Sequence, residues 1–410
     1  MKKLIKSCKE SYIFLFIISI LISMEAYLLI TVFSSGAAWS SIFFDHAKDS
    51  FMDFFNSLRD ASLGGGAYTE RHVIYPPMAN LIFWLLSFVT PAAYNGTSFD
   101  ERYTWNEYQI NTVIITLFVI LSIVLFALLV YKSVKLPHTH RLLLTLVAVF
   151  SVPFLNMLER GNIMTLAFIA LTVYAVTYNS RAAWIRELGI ICLAFSFSLK
   201  LYPIIFAWIL IGDKRYKEFA RCALYSLAFL IIPSFAFGGP ACLLTIFKNI
   251  TSFSSGTGNV LSVISKYTHI PYNAVSGVSY VWFFLTCVNF LAAPFIYKER
   301  WKVWAAGCIA FISYPALCST YAWTLFIIPV IYLCNEGFAN NWVKGARRKG
   351  YLICMLIPFL FFGIPMPLWA PVTANAVIIY FVVVIIAAFA IYDTVRTVAD
   401  LASPRQAIIK

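Results

Sequence analysis

The residues best suited to chemistry lie in one stretch, FFDHAKDSFMDFFNSLRDASLGGGAYTERHVIYPP, that begins at Phe43. Asp45, Asp49, Asp53 and Asp60 recur there at helical spacing. Asp49, Asp53 and Asp60 share a face at i, i+4 and i+11, while Phe51, Phe54, Phe55 and Leu58 lie on other faces. The pattern predicts an amphipathic helix resting at a membrane surface, its acids turned toward a cavity or water. A carboxylate at such a boundary can take the proton from a sugar hydroxyl, which is general-base work. The same residues would also suit a plain solvated face, so the chemistry is assigned to the cluster and to no single one of its acids. Gly64, Gly65 and Gly66 follow as a flexible connector. They are not a phosphate cradle, because no strand-to-helix context surrounds them.

Two cations complete the set. Arg160 stands in Glu159-Arg160-Gly161-Asn162, and Lys200 in Ser198-Leu199-Lys200-Leu201-Tyr202-Pro203; each motif joins two apolar runs. Charges so close to hydrocarbon need a partner. Arg160 can pair with its neighbour Glu159, and Lys200 can snorkel to the interface. Alternatively, both can hold an anion, for which a lipid phosphate at headgroup depth is the natural candidate. Glu25, inside the first apolar run, fits a cavity wall and an interface equally well. His46, His72, His138, His140 and His269 show no metal-ligand spacing, so no metal and no cofactor is assigned.

The elements that position these residues must be membrane helices. Of 410 residues, 61% are hydrophobic and 12% charged. A soluble domain carries about 25% charged residues, so the solvent of this chain is largely lipid. The net charge of +13 sits in short basic clusters between apolar runs, as the positive-inside rule requires, which argues against a nucleic-acid partner. The nine cysteines include no C-x-x-C pair and form no disulfide framework. The basic N-terminus precedes an apolar run too long for a signal-peptide core, so that run reads as a retained first helix.

Candidate spans are 12–33, 109–131, 142–158, 162–178, 187–199, 202–212, 221–237, 279–297, 302–318, 322–334, 351–364 and 372–392. This predicts an all-α polytopic membrane protein of about 12 transmembrane helices. The basic clusters are Lys132/Lys135/Arg141, Arg181/Arg186, Lys214/Arg215/Lys217/Arg221, Lys298/Arg300/Lys302 and Lys344/Arg347/Arg348/Lys349. Placing all of them in the cytoplasm puts both termini inside the cytoplasmic membrane. Loops 34–74, 93–108 and 238–278 then face outward. The apolar stretch 74–93 starts and ends on that outer face, and its Pro76, Pro77 and Pro91 suit a re-entrant segment. The alternative is that it crosses and one later cluster lies outside. The whole of 1–410 reads as one integral membrane domain, with 34–74 as its catalytic loop and the chemistry on the outer side. No Walker loop is present.

The order of motifs resembles glycosyltransferase family 87: an Asp-containing loop, Tyr75-Pro76-Pro77, Glu159-Arg160-Gly161-Asn162, then Lys200-Leu201-Tyr202-Pro203. The resemblance covers most of 45–205. It implies a GT-C-type fold and, as in bacterial mannosyltransferases, transfer of a sugar from a polyprenyl-phosphate carrier. Asp53-Phe54-Phe55-Asn56 best resembles the family's base motif, with Asp49 as the alternative. Arg160 and Lys200 would bind the donor phosphate, and Tyr75, Asn162, Tyr202 and Tyr321 would line the substrate site. The family's late Trp-x-His motif is absent: Ser319-Thr320-Tyr321-Ala322-Trp323-Thr324 carries no His, and Tyr321 takes that place. The implied partners are a polyprenyl-phosphate sugar, a glycan or glycolipid acceptor and membrane lipid. A flippase needs charges through the membrane midplane, which the span interiors beyond Glu25 scarcely offer; a glycan polymerase would use a similar outward site.

Overall fold

A computed structural model describes residues 12–43, 50–90, 107–252, 260–314, 320–339, 346–365 and 373–402. All regular structure among them is helical. The first helices are α1 (Tyr12–Phe33), α2 (Met52–Ser62), α3 (Pro77–Ser87), α4 (Gln109–Ser133), α5 (His138–Val149), α6 (Val152–Glu159), α7 (Met164–Thr177) and α8 (Ala183–Leu199). After the 3₁₀ segment Tyr202–Ala207 come α9 (Trp208–Gly212), α10 (Tyr216–Ser234), α11 (Cys242–Ser252), α12 (Val260–Thr268), α13 (Tyr272–Ile296) and α14 (Arg300–Ile312). The 3₁₀ segment Thr320–Phe326 leads into α15 (Ile327–Ala339), then α16 (Ala346–Leu356) and α17 (Ala374–Ala402).

Five helical segments are long and apolar enough to cross a membrane: Phe16–Phe33, Gln109–Ser133, Tyr216–Phe237, Tyr272–Ile296 and Ala374–Leu401. The pair α5 and α6, bent by 46°, makes a sixth if it forms one span. The chain is therefore a membrane-embedded all-α protein. Several other expected spans are shorter apolar helices, among them Met164–Thr177 and Tyr202–Gly212. The bend falls at Phe150–Ser151, where Pro153 cannot donate a hydrogen bond back into α5 and instead opens α6. Pro77 starts α3 in the same way, behind an extended Pro76. At 11 residues, α3 rises about 16 Å, too little to cross hydrocarbon. The expected loop 93–108 lies outside the described residues up to 106.

Hydrogen bonds and ion pairs sort the connections into two ends. The segment after α1 meets the end of α6, where Asn156 Nδ2 donates to the Ile42 carbonyl at 2.7 Å. Segments 34–74 and 238–278 also touch: Asn249 of α11 donates to the carbonyls of Tyr68 and Val73 at 3.0 and 3.1 Å. The two segments are therefore neighbours in the fold. The opposite end gathers the basic connections. There Arg300 pairs with Asp213, Arg186 and Arg215 share Glu218, and Arg221 pairs with Glu187.

One expectation about α2 is corrected. Its apolar face does not rest on the membrane. Met52, Phe54, Phe55, Leu58 and Ala61 are all buried inside the protein, in a cluster with Phe83, Ile115, Ile163 and Leu199. Phe54 meets Phe83 edge-on at 5.4 Å. Burying each such phenylalanine is worth about 1.5–3 kcal/mol, and the protein interior offers tighter contact than mobile lipid. This anchors α2 rigidly beside α3 and α7.

Candidate active site

The site is organised by the junction of α2 with the turn after α6. The backbone N–H groups of Phe51 and Asp53 donate to the carbonyls of Glu159 and Arg160 at 2.6 and 3.2 Å. Phe51 holds a left-handed conformation (φ +63°) so that the chain can turn into α2 at this clamp. Gly161 (φ +60°) makes the approach possible: a Cβ there would stand 2.8 Å from the Phe54 Cβ. Only glycine tolerates both the dihedral and the proximity.

The clamp delivers Asp53 to two donors. Arg160 Nη2 lies 2.5 Å from Asp53 Oδ1, and Asn162 Nδ2 lies 2.7 Å from Oδ2. Asn162 is oriented by its other end, where Oδ1 accepts the Met164 N–H at 2.9 Å at the start of α7. That bond fixes which end of the amide faces Asp53. The neighbour Glu159 accepts instead from Ser50, Oγ to Oε1 at 2.9 Å. Arg160 retains 8% side-chain exposure and Asp53 25%, so the carboxylate is the more accessible member of the pair.

Lys200 follows the last turn of α8, with Nζ 4.2 Å from the centre of the Tyr75 ring. Burial pushes its ammonium down to about 8, against the opposing pull of Asp53. Tyr75 lies beside Asn162 and within electrostatic reach of Asp53, Arg160 and Tyr321; burial pushes its phenol up. Tyr202 lies in the field of both Tyr75 and Tyr321. Tyr321 arrives on the 3₁₀ segment Thr320–Phe326, whose Trp323 anchors to the Met355 carbonyl at 3.0 Å. Asp53, Arg160, Asn162, Lys200, Tyr75, Tyr202 and Tyr321 thus meet in one place, although they come from five separate stretches of chain. Asp49 lies outside the described residues. Asp60 pairs with Arg59 at 2.6 Å, and Glu25 is exposed on α1.

No protein-family model matches the chain, and no curated protein or solved structure is significantly similar to it. Its chemistry is therefore read from the site alone.

That site continues into a cavity of about 820 Å³. Tyr202 belongs to both, its ring lying 3.9 Å from the Phe311 ring on the cavity wall. The wall is almost wholly apolar and is built from α10, α13, α14 and the Tyr202–Gly212 segment, with Trp208, Phe219, Leu227, Phe283 and Phe290 prominent. Sequence periodicity could not reveal this space, because four elements distant in the chain enclose it. A polar cluster with two cations beside an apolar cavity suits an amphiphile with an anionic head. Among the described residues, no three His, Cys, Asp or Glu side chains gather at metal-binding distance.

Proposed function

We propose that this protein is a membrane glycosyltransferase of the GT-C type, resembling family 87, that takes its sugar from a polyprenyl-phosphate carrier. The observation that carries the reading is Tyr202: it lines the apolar cavity and lies in reach of Tyr75, whose ring faces Lys200. An anionic head can lie against Arg160 and Lys200 while an isoprenoid tail fills the cavity.

The residues then divide the work. The donor phosphate competes with Asp53 for the guanidinium of Arg160, because a phosphodiester is a bidentate acceptor of the same kind as a carboxylate. Release from that pair frees the Asp53 carboxylate to face the acceptor. An acceptor hydroxyl of a glycan or glycolipid attacks the anomeric carbon and gives its proton to Asp53. The new C–O bond forms as the bond from carbon to phosphate oxygen breaks, and polyprenyl phosphate departs with the electron pair. Arg160 and Lys200 stabilise the charge that grows on the leaving phosphate. Direct displacement inverts the anomeric centre. The site faces outward from the cytoplasmic membrane if the basic end is cytoplasmic.

The test is an assay of purified protein against a panel of radiolabelled polyprenyl-phosphate sugars with a glycolipid acceptor fraction. Release of polyprenyl phosphate, dependent on Asp53, is the expected result. Movement of the labelled lipid across a vesicle bilayer without cleavage would replace transfer with transport.

A further inference from the structure

A second pocket lies at the opposite end of the helices that carry the site. α7 (Met164–Thr177) starts just after Asn162 beside Asp53 and ends just before Asn179, and α8 (Ala183–Leu199) runs back to Lys200. The 14 residues of α7 alone separate the two ends by about 21 Å. At the far end, the last turns of α4 and α7, the start of α8 and the middle of α15 enclose about 490 Å³.

This pocket has two characters. Leu129, Val176, Ile185 and Ile331 supply an aliphatic wall, and Lys132, Lys135, Ser133, Asn179, Ser180 and Asn335 supply a polar one. None of its lining residues is acidic. The polar wall is built rather than loose. Asn335 Oδ1 accepts the Lys135 N–H at 2.7 Å, and its Nδ2 donates to the Ser133 carbonyl at 3.0 Å. At the rim, Arg215 donates to Asn179 Oδ1 at 3.3 Å while its charge is met by Glu218. Beside the pocket, Trp184 is 71% exposed at the first turn of α8, and Leu128 and Leu188 are exposed further along the same helices. A tryptophan standing out at the end of an apolar helix marks headgroup depth. The last-turn carbonyls of α4 and α7 oppose an anion there, but two lysines outweigh those partial charges.

We propose that this pocket binds a phosphate-bearing anion, with Lys132 and Lys135 on the phosphate and the aliphatic wall against the first carbons of an acyl chain. Its ligand class is the anionic phospholipid of the leaflet on the basic side. Basic pockets between membrane helices select such headgroups. The site lies about one membrane leaflet or more from Asp53, so it does not depend on the glycosyl-transfer reading.

Native mass spectrometry of the purified full chain, titrated with phosphatidylglycerol, tests it. Wild type should retain the lipid, while the double variant Lys132→Gln/Lys135→Gln should bind about 10–30-fold more weakly, the loss expected for two cations near a headgroup. Lys132→Arg/Lys135→Arg should bind as wild type does, and Lys248→Gln, exposed on α11 at the other end of the protein, should change nothing. Equal binding by the Gln variant and wild type overturns the proposal, as does an equal loss in Lys248→Gln. Phosphatidylcholine and inorganic phosphate form the two comparison arms. Displacement of phosphatidylglycerol by millimolar inorganic phosphate would assign the pocket to a soluble anion and overturn the lipid as source. Retention equal to that of phosphatidylcholine would overturn the role of charge.

Discussion

Arg160 Nη2 and Asp53 Oδ1 lie 2.5 Å apart across 107 positions of chain, joining a nearly buried guanidinium to a carboxylate that remains one quarter exposed. The contact makes the candidate base and a candidate phosphate ligand one ion pair. Neither can change its partner without affecting the other.

Replacement of Asp53 should therefore have two effects. Asp53→Asn keeps the side-chain size and removes the basicity, so turnover should fall by about 10²–10⁴-fold. It also leaves Arg160 without its counter-charge, and the melting temperature in detergent should drop by the equivalent of about 1–3 kcal/mol. Arg160→Ala should weaken donor binding by about 1.5–3 kcal/mol while costing less stability, because the carboxylate left behind reaches water. Normal turnover in Asp53→Asn would remove the carboxylate from the chemistry.

Lys200 supplies a pH signature. Its ammonium titrates near 8, below the ordinary 10.5 for lysine, because burial disfavours the charged form. An anion binds the protonated form. Donor affinity should be full below that value and decline as pH rises through it. In Lys200→Gln the decline should disappear together with about 1.5–3 kcal/mol of affinity. Equilibrium binding of a polyprenyl-phosphate sugar, a diester whose charge is constant between pH 6 and 10, measures both; a flat wild-type profile would place the phosphate away from Lys200.

Gly161→Ala should destabilise the protein by about 2–4 kcal/mol, combining a left-handed alanine with overpacking against Phe54. Since the clash pushes directly on α2, activity should fall further than the lost folded fraction explains. Thermal unfolding and turnover measured on the same preparation separate the two contributions.

The cavity can be tested by filling it. Ala223 lines its α10 side and is exposed, so Ala223→Trp should fold while narrowing the space. KM for a long-chain polyprenyl donor should rise by about tenfold, roughly the 1.4 kcal/mol of two buried methylenes, and a short-chain analogue should be unaffected. Equal effects on both donors would show that the tail runs elsewhere.

Much of this molecule could be read from residue order. The apolar runs determined helices at nearly every expected position, because backbone groups in lipid must pair within their own segment. The cost of a charge beside hydrocarbon singled out Arg160 and Lys200, the spacing of the aspartates marked their cluster, and the family resemblance pointed within it to Asp53. Charge bias also placed segments 34–74 and 238–278 together, and Asn249 joins them.

What the order of residues could not determine was partnership. Sequence proximity offered Glu159 to Arg160, yet Asp53 takes the guanidinium, because the left-handed Phe51 and the side-chain-free Gly161 let α2 dock on the turn after α6. The apolar face of α2 fitted lipid as well as protein by pattern. Only packing against Phe83, Ile115 and Ile163 decided for protein. The two cavities, one apolar beside Tyr202 and one basic beside Lys132, exist only where several helices diverge. Periodicity reports which side of a helix is apolar. It does not report the distance to the next helix, and that distance is set by side chains from segments remote in the chain.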